Sequence, residues 1–211
     1  MQERTFSILG DSISTFRGYN PEGSEIFYPH DGFDVLNVAD TWWSLLAARR
    51  HLTLMRNDSY SGSRISRTGV RPPSSCFADE KRQRHLSGDF IIIFGGTNDW
   101  GQSEQPTTQE VFARAYRDLV ASMGARHPAS TLYFCTPLQR NDYPLTAPNI
   151  HGWTQLDLAR TIRDIVGEYP FTRLIDLAAY PIAAGDGFLL DGLHPGKLGM
   201  ERLASLMEAA L

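Results

Sequence analysis

Asp89-Phe90-Ile91-Ile92-Ile93-Phe94-Gly95-Gly96-Thr97-Asn98-Asp99 is the stretch on which the reading of the chain turns. An unbroken run of large apolar side chains, with no polar alternation, fits a strand buried on both faces, as in parallel sheets covered by helices on each side. The glycine pair that follows lets the backbone turn sharply where the strand stops. In open α/β sheets that carboxyl edge is where ligands bind, so the turn aims the Asn98 amide at a cleft.

Similar apolar runs predict strands at Thr5–Leu9, Leu52–Arg56, Thr131–Thr136 and Arg173–Leu177, with the quoted one taken as Phe90–Gly95. The intervening segments carry helical spacing. Thr107-x-x-Glu110 reads as a capping box, and Val111, Phe112, Ala115, Leu119, Val120 and Met123 then line one face until Gly124 and Pro128. Further helices are expected over Thr154–Tyr169 and Lys197–Leu211, and one after Asp40 that carries Trp42, Leu45 and Leu46 and ends on Arg49 and Arg50, where cations are favoured. The adjacent indoles of Trp42 and Trp43 leave one to be covered by a loop or at an interface. Arg17–Val38 and Pro137–Gly152 resist regular structure and should start at the ligand edge, where long loops form substrate walls. Strands alternating with helices predict an α/β fold.

Length and charge narrow the function classes. The 211 residues suit one domain, 1–211, and 20 basic against 24 acidic residues give a net charge of −4, unlike the basic face of a nucleic-acid binder. No apolar run approaches the length of a membrane span, and no basic-then-apolar leader precedes the first strand, so no membrane partner and a cytoplasmic location are expected if Met1 is the natural start. Cys76 and Cys135 lie outside any CxxC or Cys/His cluster and are expected to be reduced. Oligomeric state is not legible.

Four short segments carry the chemistry. Ile8-Leu9-Gly10-Asp11-Ser12 ends a strand on a turn that presents a hydroxyl, with backbone N–H groups nearby for developing negative charge. Leu190-Asp191-Gly192-Leu193-His194-Pro195 sets a carboxylate three residues before an imidazole. A serine needs such an imidazole to take its proton, and the imidazole needs a carboxylate on its other nitrogen. Asn98 could donate to an oxyanion. Gly62, in Asn57-Asp58-Ser59-Tyr60-Ser61-Gly62-Ser63-Arg64, could supply a backbone N–H where a side chain would block the substrate. Each segment alone also reads as an ordinary turn or cap; together they supply nucleophile, base, base-orienter and oxyanion donors.

In these blocks, and in their order, the sequence resembles the SGNH hydrolase superfamily, also called the GDSL esterase/lipase family. Ile13 stands where the family name has Leu, a conservative exchange. The resemblance implies a flavodoxin-like three-layer α/β/α sandwich with a five-stranded parallel sheet. It further implies Ser12 as nucleophile, His194 as general base, Asp191 as its orienting carboxylate, and Ser12, Gly62 and Asn98 as the oxyanion hole, with no metal and no cofactor. The substrate expected is a small-molecule or carbohydrate ester with a short acyl chain, O-acetyl carbohydrate included. Asp11, Arg64, Trp100 and Trp153 are expected beside it, and Tyr28, His30, Arg140 and Tyr143 on the rim. Competing readings are an acyltransferase, lysophospholipase or thioesterase of the same fold, a metal hydrolase using Asp11, Asp191 and His194, and a non-catalytic carbohydrate-binding protein.

Overall fold

The computed structural model describes residues 4–101 and 107–211. Its strands are β1 (Arg4–Gly10), β2 (Leu52–Ser59), β3 (Phe90–Phe94), β4 (Thr131–Cys135) and β5 (Thr172–Ile175). Its helices are α1 (Trp42–Arg50), α2 (Glu80–Arg84), α3 (Thr97–Gly101), α4 (Gln109–Arg126), α5 (Gln155–Gly167) and α6 (Lys197–Ala210). All strand pairs are parallel, in the order β2-β1-β3-β4-β5. The chain order reverses between β1 and β3, the switch point where doubly wound sheets open a ligand crevice.

Period-two alternation assigns β1 and β3 to two cores. Phe6, Ile8, Phe90, Ile92 and Phe94 pack with Trp42, Trp43 and Leu46 of α1 and Met200, Leu203, Ala204 and Met207 of α6. Leu9, Ile91 and Ile93 pack on the other face with Phe112, Tyr116, Leu119 and Val120 of α4 and Leu158, Ile162 and Ile165 of α5. Every β3 side chain is buried, which explains why that segment shows no polar alternation. Burying each such side chain contributes about 1.5–3 kcal/mol.

Several local expectations shift. β2 runs on to Ser59 because its polar end is fully partnered: Asn57 Nδ2 donates to Ser14 O at 2.8 Å, Ser59 Oγ donates to Asn57 Oδ1 at 2.6 Å, and Asp58 pairs with Arg82 at 2.9 Å. The N-cap of α4 is Thr108, whose hydroxyl accepts from Val111 N at 3.3 Å. Thr107 is instead tied backward, its N–H donating to Asp99 O at 2.7 Å, so no box with Glu110 forms. A capping box does form at α5, between Thr154 and Asp157. Both indoles of α1 are buried against one residue: Trp42 Nε1 donates to Ser14 Oγ and Trp43 Nε1 to Ser14 O, each at 3.1 Å. Among the described residues, no helix is long and apolar enough to cross a membrane.

Candidate active site

β1 ends at the switch point on Gly10, where a side chain would force its neighbours to move: an added Cβ would run into Ser59 Oγ and lie 2.9 Å from Ser14 Cβ. Asp11 then caps a single 3₁₀ turn, Ser12–Ser14, by accepting from Ile13 N at 3.1 Å. Ser12 thus opens a turn, where N–H groups have no acceptor within the helix. Trp42, Trp43 and Asn57 clamp the far end of the turn at Ser14.

The turn at the other end of the chain is closed by Leu190 N donating to His194 O at 3.0 Å. Gly192 holds it at φ +84°, and an added Cβ would meet Asp142 Cβ at 2.7 Å. Asp191 Oδ1 accepts from Leu193 N at 2.9 Å and His194 N at 2.6 Å, while Oδ2 faces His194 Nδ1 at 2.7 Å. His194 Nε2 lies 2.9 Å from Ser12 Oγ. Serine, histidine and aspartate therefore form one unbroken hydrogen-bonded line, although 182 residues separate Ser12 from His194.

Partial burial alone would raise the Asp191 carboxyl. The hydrogen bond with the His194 ring and those from the His194 and Leu193 amides outweigh it and hold the group well below the usual carboxylate range. An ionised Asp191 can only accept, so Nδ1 of the neutral imidazole carries the proton and Nε2 offers its lone pair to Ser12. Asn98, buried in α3 just past the β3 turn, donates one amide hydrogen to Ser63 O at 2.9 Å. That bond fixes the plane of an amide nitrogen carrying two hydrogens. Gly62, at φ +77°, lies in the turn after β2.

Asp11, Arg64, Trp100 and Trp153, expected beside a substrate, are all buried: Asp11 caps the Ser12–Ser14 turn, and the other three hydrogen-bond to neighbouring segments. The Arg64 guanidinium donates to Thr68 Oγ1 at 3.0 Å and Thr107 Oγ1 at 3.3 Å. Trp100 Nε1 donates to Trp153 O and Trp153 Nε1 to Thr107 O, each at 2.9 Å. Burial of Asp11 pushes its carboxyl up to about 7. Asp99, accepting from Ile65 N, Ser66 N and Ser66 Oγ, is likewise pushed up by burial, to about 6. Of the rim residues, Tyr28 is buried with its hydroxyl donating to Pro195 O at 2.7 Å, and His30 is exposed. Arg140 pairs with Asp142 and lies 5.6 Å from the Trp100 ring centroid, beside exposed Tyr143.

Sequence reasoning missed Phe27, Phe33 and Ser14. Phe27 stacks on the His194 ring and Phe33 meets it edge-on. An aromatic-rich loop before α1 was the available signal, but nothing in its spacing ties it to a histidine so far along the chain.

The profile of the GDSL-like lipase/acylhydrolase family matches residues 4–143. The chain belongs to this family. Among solved structures it is similar to a candidate GDSL-like lipase of Bacteroides ovatus, with 28% identity, a TM-score of 0.74 and coverage of 99% of this chain and 98% of that one. A candidate GDSL-like lipase of Bacteroides uniformis shows 26% identity, TM-score 0.71 and coverage of 99% and 95%. A family two carbohydrate esterase of Clostridium thermocellum shares the fold at 16% identity and TM-score 0.66, over 98% of this chain and 62% of that one. No curated protein matches by sequence. This GDSL-like protein is a hydrolase of the SGNH type.

Proposed function

We propose that this GDSL-like protein is a one-domain serine esterase for short-chain acyl esters, O-acetylated carbohydrates among them, with Ser12 as nucleophile. The observation that carries the reading is the continuous line from Ser12 Oγ through His194 to Asp191. Ser12 Oγ attacks the ester carbonyl as its proton passes to His194 Nε2, and the ionised Asp191 stabilises the resulting imidazolium. The C–O bond to the leaving alcohol then breaks, and the alcohol takes the proton from Nε2. In the second half, water attacks the acyl-serine, gives its proton to Nε2, and the acid leaves as the proton returns to Ser12.

Negative charge on the carbonyl oxygen falls to the amides of Ser12 and Gly62 and the second hydrogen of Asn98. Losing one such donor costs about 10²–10³ in turnover. The short-chain preference draws on crowding at the base, where Phe27, Phe33 and Tyr28 surround the His194 ring. The carbohydrate preference draws on the hydroxyl-binding potential of exposed His30 and Tyr143 in the flanking loops. Comparing acetyl, butyryl and octanoyl p-nitrophenyl esters tests both the reaction and the chain length. Expected is a kcat/KM that falls from acetyl to octanoyl; the highest value on octanoyl would end the short-chain reading.

A further inference from the structure

The flank of loop 17–38 lays an aromatic ring flat on the base. Phe27 and His194 are parallel to within 12°, with ring centroids 3.7 Å apart. Phe27 is itself held in place: it also stacks with His30 at 4.7 Å, and Tyr28 and Phe33 meet it edge-on at 4.8 and 5.0 Å. Its backbone N–H donates to Thr15 Oγ1 at 2.9 Å, and that hydroxyl donates to Ser12 O at 2.8 Å. The ring that touches the base is therefore tied, through one threonine, to the residue that presents the nucleophile.

We propose that Phe27 is a positioning residue for the ester hydrolysis, fixing the plane of the His194 imidazole and stabilising the imidazolium that forms as Ser12 loses its proton. This rests on the Ser12–His194–Asp191 reading. The contacts at Nδ1 and Nε2 restrain the imidazole within its plane but leave it free to rock about the line through those two nitrogens. A flat ring at 3.7 Å blocks that rocking. The face of a benzene ring is also negative, so it attracts a cation lying over it within about 6 Å and attracts neutral imidazole far less. An interaction that strengthens as the charge appears lowers the barrier rather than tightening the ground state.

The other ionisable groups around the base come from two segments, the turn that carries His194 itself and loop 17–38. Asp191 meets Nδ1 directly. His30 stacks with Phe27 and faces Phe33, and Tyr28 approaches the His194 edge at 6.5 Å. Burial, and then the charges of Asp191, Asp11 and Asp34, raise the Tyr28 hydroxyl, so it stays neutral beside the base. Phe27→Leu alters none of these groups. It keeps apolar bulk on the ring while removing the aromatic face, so burial of His194 is largely preserved and the attraction to its cation is lost.

The test measures kcat and KM for p-nitrophenyl acetate against pH in wild type, F27L and F27Y, with thermal melting and fluorophosphonate labelling of each. Without the aromatic face the imidazolium is less stable, so the acid limb of kcat/KM moves to lower pH in F27L. A cation–π contact changes an equilibrium by about threefold to thirtyfold, which shifts the limb by roughly 0.5–1.5 pH units. In F27L the plateau kcat falls by a similar factor with KM unchanged, and F27Y restores the wild-type limb. An F27L limb that coincides with wild type, or a loss confined to KM, overturns the inference. Partial unfolding of F27L does not blur this, because the midpoint of the limb is independent of the active enzyme concentration. Labelling separates the two claims: wild-type protein that fails to label defeats the triad, whereas labelled F27L with an unmoved limb defeats only the role of Phe27.

Discussion

Among the described carboxyls, that of Asp11, next to Ser12, is the one whose ionisation the fold most plainly opposes. Burial lifts its carboxyl from 3.8 to about 7, against the partly compensating Ile13 amide and the Arg82 charge. Between those values the native chain holds a proton that the unfolded chain has released, so stability falls as pH rises from about 4 to 7 and is flat above. Asp99, lifted to about 6, adds a loss of the same sign over a narrower window. Asp11→Asn keeps an acceptor for the Ile13 amide and removes only the first of these. Thermal melts at pH 5 and pH 8 should then show a smaller drop in the variant than in wild type; parallel drops would mean that Asp11 does not titrate in this range. Asp191 has the opposite character, since its lowered carboxyl stabilises the fold at neutral pH and loses that effect only on strong acidification.

At the scale of elements, β3 was legible because every one of its side chains is buried, so packing and sequence pattern say the same thing. β2 was read three residues short because Asn57, Asp58 and Ser59 are polar, and only tertiary partners on the Ser14 turn and Arg82 make that end burial-competent. The short helix α2 has no apolar stripe long enough to register, and α3 follows a glycine pair that reads as a turn. α4 carries one locally unsatisfied group: Tyr116 is buried and its hydroxyl has no partner among the described residues. A buried donor left unpaired costs about 1–3 kcal/mol. Tyr116→Phe should therefore raise stability to urea unfolding by about 1 kcal/mol; a destabilised variant would reveal a partner for that hydroxyl.

Across the whole molecule, one parallel sheet brings together residues that the chain keeps far apart. Ser12 follows β1, Asn98 follows its neighbour, the central strand β3, and Gly62 follows the edge strand β2 on the other side of β1, so three segments leave the same edge of the sheet beside the switch point. His194 and Asp191 arrive from the segment before α6, which packs on the same face as α1. Ser12, His194 and Asp191, the proposed nucleophile, base and carboxylate, stand out in the sequence because each sits in a short motif with glycine or proline beside it. The aromatic enclosure of His194 does not, because Phe27 and His194 meet only through the fold of loop 17–38. Arg64, Trp100 and Trp153 draw attention by residue type, and in the fold their side-chain N–H groups donate to Thr107 and to the Trp153 carbonyl.

The central claim is that Ser12, activated by His194, is the group that takes the acyl chain. It is tested most directly by reacting the protein with a fluorophosphonate and locating the adduct by peptide mass spectrometry, alongside Ser12→Ala and His194→Ala. The expected result is one adduct per wild-type chain on the peptide containing Ser12, none on Ser12→Ala, and strongly slowed labelling of His194→Ala, with all three proteins folded. Labelling of Ser12→Ala at the wild-type rate, or undiminished ester hydrolysis by that variant, would contradict it.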